Sequence, residues 1–394
     1  MPPPSPEGDD VTIVDYNAHL YIAELARDMA ERGFNVTYLF CVPSSGLSSE
    51  QILRLEQAGV EVKNVPADGF EGITPDRQLS RRAQIRLGIA LARCASSGTV
   101  VGCQLPLVTN WTLFNATRLR RSRYANWVQE YQTNRSSKGS ADRPSRFERS
   151  QICAAHHVLC STHEFSLDVS KLGRSGPTTA LPRWAPIDLI PTCERNNPWA
   201  QLAGLDESRT RVVYCGPIDG HHRIGDISRT VKQLLEHDQF EFVFTGEGEG
   251  HVELAYDETL ARSPRVHFLR PQSLDVYPQV LGAANILVAT LDPESVESSA
   301  SETVLSYLCA GRPVVGLMDE FSPSGEVILD AGAGPVVSDA TALTDAIVEI
   351  VEDPESAVLA SKRARAYAER FFGADTTTAN FVEAIGLESP AGVA

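Results

Sequence analysis

The sequence predicts two consecutive α/β domains, each built on a doubly wound parallel sheet. Its 394 residues are too many for one compact core and fit two domains of roughly 150–200 residues. Strand-like and helix-like segments alternate on both sides of residues 182–210, and this alternation is typical of a parallel sheet covered by helices. Residues 182–210 interrupt the pattern and contain four prolines, so we interpret them as a linker.

The first domain, residues 1–181, begins with two strand-like runs. VTIVDY at 11–16 and NVTYLFC at 35–41 are rich in β-branched and aromatic residues. Residues 18–32 between them have the apolar spacing of a helix, which Gly33 is expected to end. Further helices are predicted at 48–58, 76–95, 112–121 and 147–156, and further strands at 60–66, 99–108, 124–131, 158–162 and 178–182.

The second domain, residues 211–372, repeats the alternation. Strands are predicted at 211–216, 240–246, 266–269, 285–290, 313–317 and 335–337, and helices at 226–237, 251–262, 276–284, 302–310, 325–331, 340–352 and 355–371. The C-terminal segment 373–394 is expected to return to the first domain. Because parallel sheets bind ligands outside the carboxyl ends of their strands, we expect the two domains to face a central cleft.

Composition narrows the functional classes. The net charge is −16: residues 1–181 contain 20 basic and 18 acidic residues, and the remainder contains 15 basic and 33 acidic residues. Nucleic acid is a poor partner for a chain without a broad basic surface. The eight cysteines include no CxxC pair, no apolar stretch is long enough to cross a membrane, and the acidic start resembles no targeting peptide. We therefore expect a cytoplasmic protein with free thiols.

The basic residues of the first domain are clustered, and two interpretations stay open. They are either the solvated faces of helices or a patch for an anionic membrane or a lipid-linked phosphate, which would place the protein peripherally on the inner face of the membrane. The clustered residues are Arg81, Arg82, Arg86, Arg118, Arg120, Arg121, Arg123, Arg143, Arg146 and Arg149.

Several motifs of the second half occur together in an order known from one enzyme family. They are LPRWAPIDLIP, NPWAQLAGLDESRTRVVYCG, FVFTGEGEG, RVHFLRPQ, LGAANILVATL, SETVLSYLCAGRPVVG and DAGAGPVV. From residue 181 to 372 the chain resembles bacterial retaining glycosyltransferases of the GT-B fold, and most closely the family 4 group that builds O-antigen and capsule polysaccharides, including N-acetyl-fucosamine transferases. The resemblance is weak in residues 1–180.

The resemblance implies a GT-B architecture of two Rossmann-like domains and a metal-independent transfer of a sugar with retention of configuration. The nucleotide-sugar donor, a UDP-sugar, would bind the second domain. A glycan, lipid-linked or natural-product hydroxyl would bind the first domain as acceptor. No cofactor is implied, and the sequence has no Asp-x-Asp motif and no His/Asp cluster with metal-ligand spacing.

The helix predicted at 302–310 is expected to bind the donor diphosphate and sugar. The resemblance assigns this role to the segment 294–306, and backbone N–H groups at 302–304 together with the helix dipole suit an anion. An ordinary N-cap is the alternative. Thr303 replaces a lysine that is common in the close group, and Ser306 replaces a glutamate that many relatives have. The candidate residues are Glu294, Ser301, Glu302, Thr303 and Ser306.

The other candidate donor contacts lie in the loops after three strands. Relatives have a lysine five or six residues after the glycine that corresponds to Gly216, and this chain has histidines and an arginine there, which can donate to phosphate. A polar loop without ligand is the alternative. The motif GEGEG lacks the glycine spacing of a dinucleotide fingerprint, and the resemblance places it beside the nucleotide. Arg270 is expected at the base pocket or is a plain surface residue. The set is Gly216, His221, His222, Arg223, Gly246, Glu247 and Arg270.

Two residues of the first domain are candidate catalytic groups. Glu130 is the residue before the last in the predicted strand YANWVQEY, and it fills the position where the family has an acidic residue or histidine at the cleft. It could orient the acceptor or stabilise the transition state. His19 lies in the loop where relatives have glycines near the donor phosphates, and it could replace them as a polar contact. A surface carboxylate is the alternative for Glu130.

Three functional classes remain open from the sequence. The first is a glycosyltransferase. The second is a GT-B pseudoenzyme that acts as a scaffold partner of another glycosyltransferase, which the missing lysines suggest. The third is a nucleotide-sugar epimerase of the same architecture, although the acidic and arginine signatures expected of one are not seen.

Overall fold

The computed structural model describes residues 10–41, 47–67, 79–132, 143–219, 222–292 and 299–388. The chain forms two compact units. The first contains the described residues up to Pro182 together with those from Ala374 onward, and the second contains Arg183–Gly373. Nearly all of the segment interpreted as a linker therefore belongs to the second unit, where it forms a short 3-10 helix (Ile187–Leu189) and a short α-helix (Pro198–Leu202).

The first unit is a parallel sheet covered by helices. In the described residues seven strands pair in the order β3-β2-β1-β4-β5-β6-β7. The strands are β1 (Asp10–Asp15), β2 (Asn35–Phe40), β3 (Glu61–Asn64), β4 (Thr99–Cys103), β5 (Arg123–Val128), β6 (His157–Cys160) and β7 (Thr178–Ala180). The helices are α1 (Leu20–Glu31), α2 (Ser49–Gln57), α3 (Arg81–Cys94), α4 (Leu107–Leu119), α5 (Arg146–Ala154) and α6 (His163–Ser170), with α16 (Ala374–Ala384) from the end of the chain.

The second unit repeats this arrangement with six strands in the order β10-β9-β8-β11-β12-β13 among the described residues. The strands are β8 (Thr210–Cys215), β9 (Phe240–Thr245), β10 (Val266–Leu269), β11 (Ile286–Thr290), β12 (Val314–Leu317) and β13 (Val336–Val337). The helices are α7 (Pro198–Leu202), α8 (Ile224–Leu234), α9 (Glu249–Tyr256), α10 (Glu258–Arg262), α11 (Tyr277–Gly282), α12 (Glu302–Ala310), α13 (Pro323–Asp330), α14 (Ala340–Glu352) and α15 (Pro354–Phe372).

All recorded strand pairs are parallel, which confirms the predicted fold class. Several predicted boundaries are wrong; β5, for example, ends at Val128 and not at 131, so Glu130 follows the strand. The helix predicted at 251–262 is two helices, because Asp257 ends α9 and its carboxylate accepts hydrogen bonds from the N–H groups of Thr259 and Leu260 at the start of α10. Strand β4 stops at Cys103, and the apolar residues after Pro106 begin α4 instead of extending the strand.

Each sheet has a point where the direction of the connections reverses, and ligand crevices form at such points. In the second unit it lies between β8 and β11, which pair only at Val212 and Val213. Beyond this pairing the strand end is held by a side chain. The hydroxyl of the buried Tyr307, from α12, accepts from the Cys215 N–H at 2.8 Å and donates to the Cys215 carbonyl at 3.2 Å.

A buried ionic cluster lies at the opposite, amino edge of the second sheet. Glu241 is 3% exposed and contacts Arg211, which is 1% exposed, at 3.4 Å, and His267 at 3.0 Å. Burial alone would raise the pKa of Glu241, but hydrogen bonds from His267 and from the Asp206 N–H, with the charge of Arg211, lower it. Arg211 also donates to the carbonyls of Arg195 and Leu205, so the cluster fastens the preceding segment to the sheet.

Candidate functional site

The loops after β8 and β9 are joined backbone to backbone. The Ile218 N–H donates to the Glu247 carbonyl at 2.9 Å, and the Gly250 N–H donates to the Ile218 carbonyl at 3.0 Å. Gly246 and Gly248 have φ of +155° and +120°, and a Cβ on them would lie 1.9 Å from the Gly216 oxygen and 2.1 Å from the Ile218 oxygen. The contact between the two loops therefore requires glycine at Gly246 and at Gly248.

The start of α12 packs directly on Gly216, the residue after β8. A Cβ on Gly216 would lie 2.9 Å from the Thr303 Oγ1, so only glycine fits here without displacing the threonine. Ser301 is the N-cap: its Oγ accepts from the Val304 N–H at 3.2 Å, and its own N–H donates to the Ser324 Oγ at 2.9 Å. The strand end and the helix start thus form one tight corner at the reversal point of the sheet.

Two backbone N–H groups at this corner are available to donate hydrogen bonds. The cap engages Val304, so of the three N–H groups predicted to face an anion only those of Glu302 and Thr303 have no acceptor among the described residues. Two unpaired N–H groups at the positive end of a helix dipole are suited to bind an anion. The Ser301 hydroxyl is a cap and can still donate its proton.

The other candidates on α12 have different surroundings. Ser306 is 8% exposed, so its side chain is buried inside the unit. The carboxylate of Glu302 is exposed in the first turn. Glu294 lies outside the described residues.

The cationic residues after Gly216 are paired with neighbouring carboxylates. The His222 Nδ1 lies 2.9 Å from the Asp219 Oδ1. The Arg223 guanidinium lies 2.6 Å from the Asp226 carboxylate and donates to the Ser338 carbonyl. His221 lies outside the described residues. In the described part of this loop the charge of Arg223 is therefore compensated by Asp226, and the His222 ring is engaged by Asp219.

Glu247 and Arg270 lie at the carboxyl edge of the same sheet with exposed side chains. The carbonyl of Arg270 accepts from the Thr245 hydroxyl at 3.0 Å, which ties the residue after β10 to the end of β9. The structure thus brings Gly216, Gly246, Ser301 and Thr303 into one corner, with the other described candidates of the second unit around it, except the buried Ser306.

In the first unit, His19 is held by a buried carboxylate that the sequence analysis missed. Asp15, the last residue of β1, is fully buried; its Oδ1 lies 2.8 Å from the His19 Nδ1 and its Oδ2 accepts from the His19 N–H at 2.6 Å. The Tyr38 hydroxyl donates to the same carboxylate at 2.9 Å. Burial, and secondly the charge of Asp15, raise the pKa of Tyr38 well above its usual value. An aspartate that ends an apolar strand just before a loop was the available signal.

A chain of amides extends this edge toward Glu130. The Asn17 Nδ2 donates to Gln104 at 3.0 Å, Gln104 donates to Gln129, and Gln129 donates to the Tyr21 hydroxyl at 2.9 Å. Glu130 follows Gln129, is half-buried, and lines a cavity of about 30 Å³. His19 and Glu130 therefore lie at the same carboxyl edge of the first sheet, with the amide chain between them.

Solved structures share the overall fold of this chain. No protein-family model and no curated protein matches the sequence significantly. Solved structures match 95–96% of the chain, and 96–98% of their own chains are covered. At 12–15% identity this likeness shows the fold alone. The two units thus have the GT-B fold that the sequence predicted.

Three of these structures are named here. HepE of Anabaena, solved in complex with UDP-glucose, matches with a TM-score of 0.65 at 15% identity. A glycosyltransferase of Rickettsia africae matches with a TM-score of 0.70 at 12% identity. A Listeria monocytogenes protein assigned as a UDP-N-acetylglucosamine 2-epimerase matches with a TM-score of 0.65 at 13% identity.

Proposed function

We propose that the protein is a glycosyltransferase that moves a sugar from a nucleotide-sugar donor, most simply a UDP-sugar, to a hydroxyl of a glycan, lipid-linked or natural-product acceptor. The observation that carries the proposal is the pair of unpaired N–H groups of Glu302 and Thr303, at the reversal point of the second sheet and against Gly216. The binding of UDP-glucose by HepE, which shares the fold, supports a nucleotide-sugar as the ligand.

In the proposed donor complex the diphosphate oxygens accept from the N–H groups of Glu302 and Thr303, and the loops at Gly216 and Gly246 border the nucleotide. When the sugar C1–O bond breaks, its electron pair leaves with the diphosphate, and N–H donors fixed at that position stabilise the added charge. The remaining donor contacts proposed from the resemblance are His221, His222, Arg223, Glu247, Arg270, Glu294, Ser301 and Ser306.

In the proposed complex Glu130 contacts the acceptor hydroxyl or the reacting sugar, and His19 is a polar contact in the loop where relatives have glycines near the donor phosphates. Asp15 holds the His19 ring in one orientation through Nδ1, and an oriented polar group loses little conformational freedom on binding. The new bond joins the acceptor oxygen to the sugar C1, and the hydroxyl proton passes to an oxygen of the leaving diphosphate. Retention of the anomeric configuration and independence from metal are part of the proposal, because the sequence resemblance implies them.

A panel of UDP-, GDP- and dTDP-sugars tests the proposal. We expect one class to bind in calorimetry and to release its nucleoside diphosphate with a suitable acceptor, and NMR of the product reports whether configuration is retained. Interconversion of the free nucleotide-sugar without transfer would indicate an epimerase. Binding without turnover with every acceptor would favour the pseudoenzyme, for which the ion-paired Arg223 is the supporting observation. Absence of binding to every donor would refute a nucleotide-sugar site.

A further inference from the structure

The helices α3, α4 and α5 carry arginines that the proposed donor site does not use. From Arg77 to Gln129 the sequence contains nine arginines and neither Asp nor Glu. On these helices and their flanks, eight exposed arginines form no side-chain hydrogen bond and no ion pair with the described residues. These residues are Arg81, Arg82, Arg86, Arg93, Arg118, Arg121, Arg143 and Arg146.

The three helices form one layer on one side of the first sheet. They connect β3 to β4, β4 to β5 and β5 to β6, so all three connections run in the same direction across the sheet, and right-handed crossovers place them on the same face. α3 and α4 touch closely, since a Cβ on Gly88 would lie 2.6 Å from the Thr112 Cβ. The rings of Trp111 and Phe147 lie 6.2 Å apart and join α4 to α5.

Large apolar side chains are exposed among these arginines. On α3 the spacing of Arg82, Arg86, Ile89 and Arg93 places them on one helix face. That face therefore presents an apolar side chain between basic ones. The exposed apolar side chains of the layer are Ile85 (42%), Ile89 (41%), Trp111 (44%), Leu119 (86%) and Phe147 (40%). We name the outer side of α3, α4 and α5, with these residues, the basic-aromatic surface.

We propose that the basic-aromatic surface docks the protein on an anionic lipid bilayer. Unpaired arginines attract anionic headgroups, and tryptophan, phenylalanine and aliphatic side chains beside them enter the boundary between headgroups and acyl chains. A nucleic acid would use the arginines only, because the exposed aliphatic groups Ile85, Ile89 and Leu119 have no favourable contact with a phosphate backbone. The combination therefore fits a bilayer, and it does not depend on the proposed donor site.

Trp111 provides a direct readout of docking. The other three tryptophans, Trp127, Trp184 and Trp199, are at most 8% exposed, so a change in emission on docking reports Trp111. With vesicles of phosphatidylcholine and phosphatidylglycerol at low salt, we expect flotation of the full chain, a blue shift, and quenching by brominated acyl chains. Vesicles of phosphatidylcholine alone should not bind, and high salt should release the protein. In Trp111→Phe the emission change should disappear.

Matched double variants test the arginines. Arg82→Gln with Arg118→Gln should weaken binding to the anionic vesicles about twenty-five-fold, from about fivefold for each basic residue near an anionic surface. Arg229→Gln with Arg262→Gln removes the same charge from exposed side chains of the second unit and should change binding less than about twofold. Both pairs leave the proposed donor contacts intact.

Three results would overturn the proposal: no flotation at low salt, equal weakening by both double variants, or binding without quenching of Trp111 by the acyl chains. Tighter binding of duplex DNA than of vesicles, lost in the first double variant, would assign the surface to a nucleic acid instead. Donor affinity is measured without vesicles, so a protein that floats but binds no nucleotide-sugar would refute the proposed function and leave membrane docking supported.

Discussion

Thr303→Asp separates an anion site from an ordinary helix start. Thr303 is the second residue of α12, and its N–H is one of the two donors proposed for the diphosphate. A carboxylate in the first turn interacts favourably with the helix dipole, so the free energy of unfolding should rise by roughly 0.3–1 kcal/mol. A carboxylate about 5 Å from a phosphate is repelled by roughly 0.8–3 kcal/mol, depending on the effective dielectric constant. Affinity for UDP should therefore fall about four- to 160-fold.

Thr303→Asn is the matched control, because asparagine has the size of aspartate and meets Gly216 in the same way but carries no charge. Calorimetric titration with UDP, alongside urea unfolding of each variant, gives both quantities. We expect the Asn variant to bind UDP within about twofold of the wild type. Equal affinity of the Asp and Asn variants would show that no phosphate binds beside Thr303, and the helix start would then be only a capped helix.

Three further predictions concern the loops, the buried cluster and the first unit. Gly246→Ala should lower the free energy of unfolding by more than about 2 kcal/mol, because the φ of Gly246 is positive and the new Cβ would overlap the Gly216 oxygen. Gly225 lies in helix α8 with open space around it, so Gly225→Ala should raise the free energy of unfolding by about 0.5–1 kcal/mol. Urea unfolding measures both changes. Glu241→Gln should cost about 3–5 kcal/mol at neutral pH. The pKa of Glu241 is lowered on folding, so this difference should shrink as the pH falls through the folded pKa, and an equal cost at acidic and neutral pH would contradict it. His19→Gln should reduce transfer at least tenfold (about 1.4 kcal/mol), and undiminished transfer would remove His19 from the reaction.

The alternation of strands and helices was predictable from the sequence, because apolar residues recur with a different period in a strand than in a helix. The boundaries were harder to predict, because the apolar residues on the two sides of Pro106 fit either the end of β4 or the start of α4, and only packing decides. The break at Asp257 depends on a capping contact that competes with a helical pattern of ordinary appearance. Ser301, by contrast, was recognisable as a cap, because a serine before an apolar helical run has few other roles.

The site was predictable only in outline. Glycines at 246 and 248 could be found from the sequence, but their reason, contact with the backbone of the neighbouring loop, requires the paired strands. Asp15 was missed although it ends an apolar strand before a loop, because its burial against His19 becomes visible only in the folded structure. The pairing of Arg223 with Asp226 could have been considered from their spacing of three residues at the start of a helix, although the same spacing also fits an arginine directed at phosphate.

The hydroxyl of Tyr307 has a consequence for how a ligand would be received. It connects α12 to the last residue of β8 through both backbone groups of Cys215, so the helix that offers the Glu302 and Thr303 amides is fixed to the sheet before any ligand arrives. Preorganised donors need no ordering when they bind, and a smaller part of the binding free energy is then lost to conformational entropy. Any shift of α12 on ligand binding would also move the end of β8 and, through the contact between Gly216 and Gly246, the loop after β9. The corner should therefore respond to a ligand as one rigid piece.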